Sequence, residues 1–181
     1  MATVPSSRTW GSRDKLTSLR FNEISAFLRF LDGRQGGFCE LNQSLIQNVP
    51  NDTDYPIVFQ DEVVDRDGGH SDLTQIGRYY AQTDGWYMVS GVIAFEVHST
   101  GYRSAKLIRY DANSGTWVPL CAAIRPAVSA FATLVPVGSR LVQMTVGQSI
   151  ELVARQTSGT TLNTTVTDGA SGLSVVYVGA L

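Results

Sequence analysis

The chain has 181 residues, enough for one domain with a sizeable core and an appendage. It is 43% hydrophobic and 17% charged, with a formal net charge of -2. That balance gives no basic field to attract nucleic acid or an anionic membrane surface, and no stretch nears the ~20 apolar residues needed to cross a bilayer.

The opening stretch "MATVPSSRTWGSRDK" lacks the apolar run of a secretion signal, and Pro5, Ser6, Ser7 and Gly11 make it read as an extended arm. In the segment that follows, "LTSLRFNEISAFLRFLDG", Ile24, Phe27, Leu28 and Leu31 recur at helical spacing, and Asp32-Gly33 supplies a stop. A helix this short is marginal in water, so its apolar side must be covered by the body of the protein or by a partner.

From Phe38 the pattern changes to strand-like runs separated by turns. "ELNQSLIQ", "PIVF", "WYMVSGVIAFEV", "RSAKLIRY", "TWVPLCAAI", "SAFATLVPV", "RLVQMTV", "SIELVAR", "TLNTTV" and "LSVVYVGAL" are the candidates. Turn signals include Val137-Gly138-Ser139, Val146-Gly147-Gln148 and Asp168-Gly169. Regular turns without intervening helices predict an all-β antiparallel sandwich or jelly roll of about eight to ten strands. Cys39 and Cys121 lie far apart without metal-type spacing and are expected to be two buried, reduced thiols.

The stretch "VDRDGGHSD", residues 64–72, is the densest in chemistry. Asp65, Asp67 and Asp72 make it a weak calcium candidate, but the later ligands of a calcium loop are missing. The favoured reading is a turn, with Gly68-Gly69 supplying unusual backbone angles and the aspartates accepting from turn amides. His70 and His98 carry no nucleophile elbow, zinc motif or phosphate loop with them, so no catalytic residue is expected. Trp117, Tyr102 and Tyr110 sit near strand ends, where aromatics can stack on sugars, although core packing is the commoner use.

Two strands are apolar on both sides. In residues 86–97, Tyr87, Val89, Ile93, Phe95 and Val97 form one face, while Trp86, Met88, Val92 and Ala94 form the other, broken only by Ser90 and Glu96. The last strand repeats the pattern, with Leu173, Val175 and Tyr177 against Val176, Val178 and Ala180. One short helix hardly shields both second faces, so the pattern predicts a subunit interface built on Trp86, Met88, Val92, Ala94, Val176 and Val178.

Onward from Gly69 and Asp72, the chain sets Gly77-Arg78-Tyr79 and Gly85-Trp86-Tyr87 in order, then "VGQSIELVA" and a closing "SGLSVVYVGAL". In these motifs residues 39–181 resemble the complement C1q globular-head family, related in fold to the tumour necrosis factor family. The leader "PSSRTWGSRDKLTSLRFNEISAFLRFL", with its "RTW" arm and Phe21-Asn22 pair, resembles that of small virion proteins of tailed phages. It departs from that pattern at residues 11–15, where Gly11-Ser12-Arg13-Asp14-Lys15 replaces a more apolar stretch.

Together the resemblances imply an anchoring arm and helix over residues 1–37 and a C1q/TNF-like jelly roll over 38–181. They imply a homotrimer with no cofactor, acting as a structural virion protein assembled in the host cytoplasm. A minor tail or tail-tip position is expected first, with contact to other phage structural proteins and to a host cell-surface glycan. Capsid decoration is the alternative, and a carbohydrate-binding module the second. Trp10, Phe21, Ile24, Phe27, Leu28 and Leu31 are the expected anchor residues.

Overall fold

The structure is a computed structural model that describes residues 17–31, 37–111 and 114–181, without the side chains of Phe30 and Leu31. The expected arm, including Trp10, lies outside the described residues. Helix α1 spans Ser18–Leu31. It starts where Thr17 serves as a cap, its Oγ1 accepting from the Arg20 amide at 3.3 Å. The expected stop at Asp32-Gly33 lies outside the described residues.

The remainder is a two-sheet sandwich of jelly-roll type. The first sheet runs in the order β4 (Asp61–Asp65), β1 (Phe38–Asn42), β12 (Gly172–Gly179), β6 (Gly85–Phe95) and β9 (Thr133–Met144). The second runs β3 (Tyr55–Pro56), β10 (Ser149–Gln156), β7 (Tyr102–Asp111) and β8 (Thr116–Pro126), with β5 (Arg78–Tyr80) also pairing β10. A two-stranded ribbon, β2 (Asn48–Val49) with β11 (Leu162–Asn163), completes the described strands. The many pairings between strands distant in sequence are what a jelly roll requires.

Between the sheets lies one core. Tyr87, Val89, Ile93 and Phe95 of β6 and Leu173 and Val175 of β12 meet Ala105, Leu107, Ile150, Leu152 and Ala154 of the opposite sheet, all fully buried. The predicted inward face of β6 is therefore correct to Phe95. Val97 falls beyond the strand and is exposed.

The expected turn at Val137-Gly138-Ser139 is not a turn. β9 runs through it as one strand, and its pairing with β6 slips between Val89 and Gly91, which face Arg140 and Val137. The extra residues form a bulge, so the inward side changes from Val135 and Val137 to Val142 and Met144. Cys39 is buried as expected, but Cys121 is only half-buried, its Sγ set 3.5 Å from the Gly138 carbonyl.

Chain direction gives the sandwich two distinct poles. Antiparallel pairing of Phe38 with Val176 puts the start of β1 beside the end of β12, so Gly37 and the C-terminal residues share one pole. The connections 96–101, 127–132 and 164–171 gather at the other. Arg103 secures the first of these. Its fully buried guanidinium donates to the carbonyls of His98, Thr100 and Tyr102 at 3.0–3.2 Å and lies 6.0 Å from the Phe95 ring centroid.

Candidate functional site

The face of the first sheet that points away from the core carries the most apolar surface in regular order. Phe38 pairs with Val176, Val176 with Met88, and Met88 with Leu141, so four strands contribute one side chain each to a single row. Val176 is 38% exposed, Met88 45% and Leu141 55%, while Phe38 is half-buried beneath the Arg66 guanidinium. Trp86 and Val178 extend the surface on one side, and Val92, Pro136 and Leu134 on the other. Between the apolar rows lies a polar one, where the Ser174 hydroxyl donates to Glu40 and Ser90 pairs with Ser174.

Five of the six interface residues read from the sequence lie on this face and keep solvent exposure in the single chain. Ala94 does not. Thr165 donates its amide to the Ala94 carbonyl at 3.0 Å, and the Ala94 amide donates to Ser171 Oγ at 3.1 Å. The chain's own 164–171 connection thus buries Ala94 completely. Phe38, Leu134 and Leu141 belong to the face and were hidden in the sequence, the two leucines because the β9 bulge reverses their parity.

The acidic stretch 64–72 is built as a turn. Gly68 has φ +69°, a conformation that favours glycine, whereas Gly69 serves by close approach: an added Cβ would lie 2.3 Å from the Tyr79 ring. Asp65 Oδ2 accepts from the His70 amide at 2.8 Å, and Tyr79 donates its hydroxyl to Asp67 Oδ2 at 2.8 Å. The buried His70 ring is held between Glu62 at 3.0 Å and the Ile76 carbonyl at 3.2 Å. Among the described residues no group of three His, Cys, Asp or Glu side chains is placed to hold a metal; Asp72 is exposed and does not join the other two aspartates.

The turn nevertheless stores a titration. Asp65 and Asp67 each bury an Oδ1 atom without a hydrogen-bond partner. Burial raises the Asp67 carboxyl from its ordinary 3.8 to about 6 against the opposing Tyr79 bond, and Asp65 raises it further by accepting from the neutral acid. A carboxyl raised in the folded state favours folding when protonated. That contribution is complete below about pH 4 and is lost as pH climbs to about 6.

Discounted for partial exposure, the loss is about 1–2 kcal/mol. Asp67→Asn keeps the Tyr79 acceptor and supplies an amide donor to Asp65. Chemical denaturation at pH 4 and pH 7 is expected to show this slope in the wild type and its absence in the variant. Equal pH slopes in the two proteins would refute the raised Asp67 carboxyl.

Elsewhere two of the three aromatic candidates, Tyr110 and Trp117, are engaged within the chain. Tyr110 and Trp117 pack at 5.0 Å between ring centroids, and the Arg78 guanidinium lies 4.9 Å over Trp117 while also pairing with Glu151. Burial pushes the Glu151 carboxyl upward despite that pairing. A cleft of about 290 Å³ beside them is lined by Pro56, Val58, Ile76 and Glu151 among others. His98 Nδ1 accepts from the Thr100 amide at 3.2 Å.

Helix α1 presents Phe21, Ile24, Phe27 and Leu28 to solvent. Its expected fifth anchor, Leu31, has its side chain outside the described residues.

No family sequence model and no curated protein matches the chain. Solved structures match by shape. The globular domain of the zebrafish complement 1qA protein is similar with a TM-score of 0.59 at 12% identity, covering 80% of this chain and 99% of that one. Murine APRIL gives 0.61 at 14% identity, covering 79% and 99%. The Eiger TNF of S. frugiperda gives 0.61 at 14% identity, covering 81% and 93%. The chain therefore has a C1q/TNF-like fold.

Proposed function

We propose that this chain is a structural and binding protein whose head assembles as a homotrimer through the exposed face of the first sheet, while its N-terminal segment attaches the trimer to a tailed-phage particle. The observation that carries the reading is the row Phe38–Val176–Met88–Leu141. Apolar side chains in register across four strands have no reason to face water in a solitary subunit. A closed ring of three has each copy meet its neighbours through such a face, and three is the number that the C1q resemblance implies.

The poles support the second half of the proposal. The chain enters the head from α1 beside the C-terminus, so an attachment made by residues 1–37 holds that pole and turns the 96–101, 127–132 and 164–171 connections outward. The resemblance of the leader to phage virion proteins favours a particle as the thing held. A tail or tail-tip site suits an outward pole that contacts a host-surface glycan.

Deleting residues 1–33 tests the division of labour. The truncated protein is expected to remain soluble and to be missing from purified particles, as judged by immunoblot. Incorporation at wild-type level would refute the attachment role. In an electron-microscopy map of the particle, threefold density of matching size at the tail is the expected result, and density at capsomer junctions would move the protein to the capsid surface.

A further inference from the structure

We propose that α1 is one third of a three-helix neck, its apolar seam packed against the same seam of two other copies of this chain. The inference rests on the trimeric head and adds a second contact to it. Phe21, Ile24, Leu28 and Leu31 follow one another at intervals of three, four and three residues, the a/d alternation of a heptad. Phe27 widens the seam at the flanking g position, while Asn22, Ala26 and Arg29 fall on the opposite side of the helix. In the single chain Phe21 is 61% and Leu28 59% exposed, with Ile24 and Phe27 also open to solvent.

Three considerations favour a second copy as the occupant. The first is continuity. Residues 32–36 alone separate the helix from Gly37, and the next residue, Phe38, begins the apolar row of the assembly face. A link of that length spans at most ~18 Å, so each helix stays near the head it leads into.

The second is pattern. The a/d spacing of Phe21, Ile24, Leu28 and Leu31 is the one that knobs-into-holes packing between like helices requires, although over two heptads any amphipathic surface helix shares it. The third is concentration. Two heptads do not hold together alone, but a trimeric head places three of them within one linker length, at roughly millimolar effective concentration. The neck then leaves the arm that precedes it, with Trp10, to grip the particle.

Cross-linking of the purified full-length chain tests the neck without any particle component present. In a Cys121→Ser background, Ile24→Cys places a thiol in the seam and Ala26→Cys places one opposite it; Cys39 is fully buried. With a short-span bis-maleimide, the seam thiol is expected to give covalent dimers roughly tenfold faster than the outer one, and Leu28→Glu is expected to abolish the difference. Sedimentation of the same samples separates the two readings. A trimer whose two thiols cross-link equally slowly overturns the neck and leaves the head assembly standing, whereas a monomer overturns both.

Discussion

Val176→Asp is expected to convert the proposed trimer to folded monomers. Val176 sits at the centre of the exposed row, flanked by Phe38 and Met88 through its two register neighbours. In the single chain it is 38% exposed, so an aspartate there keeps much of its hydration and leaves the core untouched. Closing the assembly buries that carboxylate among apolar side chains without a partner, at about 3–5 kcal/mol for each copy. Three copies enter each trimer, so even partial relief by water moves the dissociation midpoint by several powers of ten. Sedimentation at micromolar concentration reads the mass, and thermal unfolding reads the fold. A trimer of unchanged stability would remove this face from the assembly.

Arg103→Met is expected to lower the thermal midpoint by about 6–12 °C, the equivalent of about 2–4 kcal/mol for a chain of this size. The methionine fills much of the volume against Phe95 but offers no donor. The carbonyls of His98, Thr100 and Tyr102 lose the guanidinium that gathers them. Thr100 is exposed and regains a water, whereas His98 and Tyr102 are half-buried, which sets the estimate below the sum of three orphaned acceptors. Arg103→Lys retains the charge without the planar fork and is expected to fall between the two. A midpoint within about 2 °C of wild type would show that the 96–101 connection is held by other contacts.

The contrast between Arg103 and Val176 shows what could be read from the sequence and what could not. Alternation in residues 86–97 identified the sandwich, its inward face and most of the outward one, because a strand's two faces are local in sequence. The β9 half of the surface escaped because Gly138 reads as a turn residue. Only the pairing with β6 shows that it lies in a bulge, after which odd and even positions exchange sides. Ala94 was misplaced for a related reason: what lies over it is the 164–171 connection, some seventy residues further along the chain.

The acidic stretch was legible as a turn from its glycines, but the two served differently. Gly68 is needed for its backbone angle and Gly69 for the Tyr79 ring lying against it, a contact no local pattern contains. The raised Asp67 carboxyl was equally invisible, since it depends on how deeply that side chain is buried. Arg103 gave no signal at all; an arginine in an otherwise ordinary strand is most often a surface residue.

The two-poled layout also decides where the molecule accepts cargo. A passenger fused after Leu181 emerges beside Gly37, at the pole where the chain enters the head. One spliced into residues 127–132, between β8 and β9, rides on the opposite cap and leaves both termini clear. The architecture is thus a ready display platform, loaded through an internal loop at the pole away from both ends of the head.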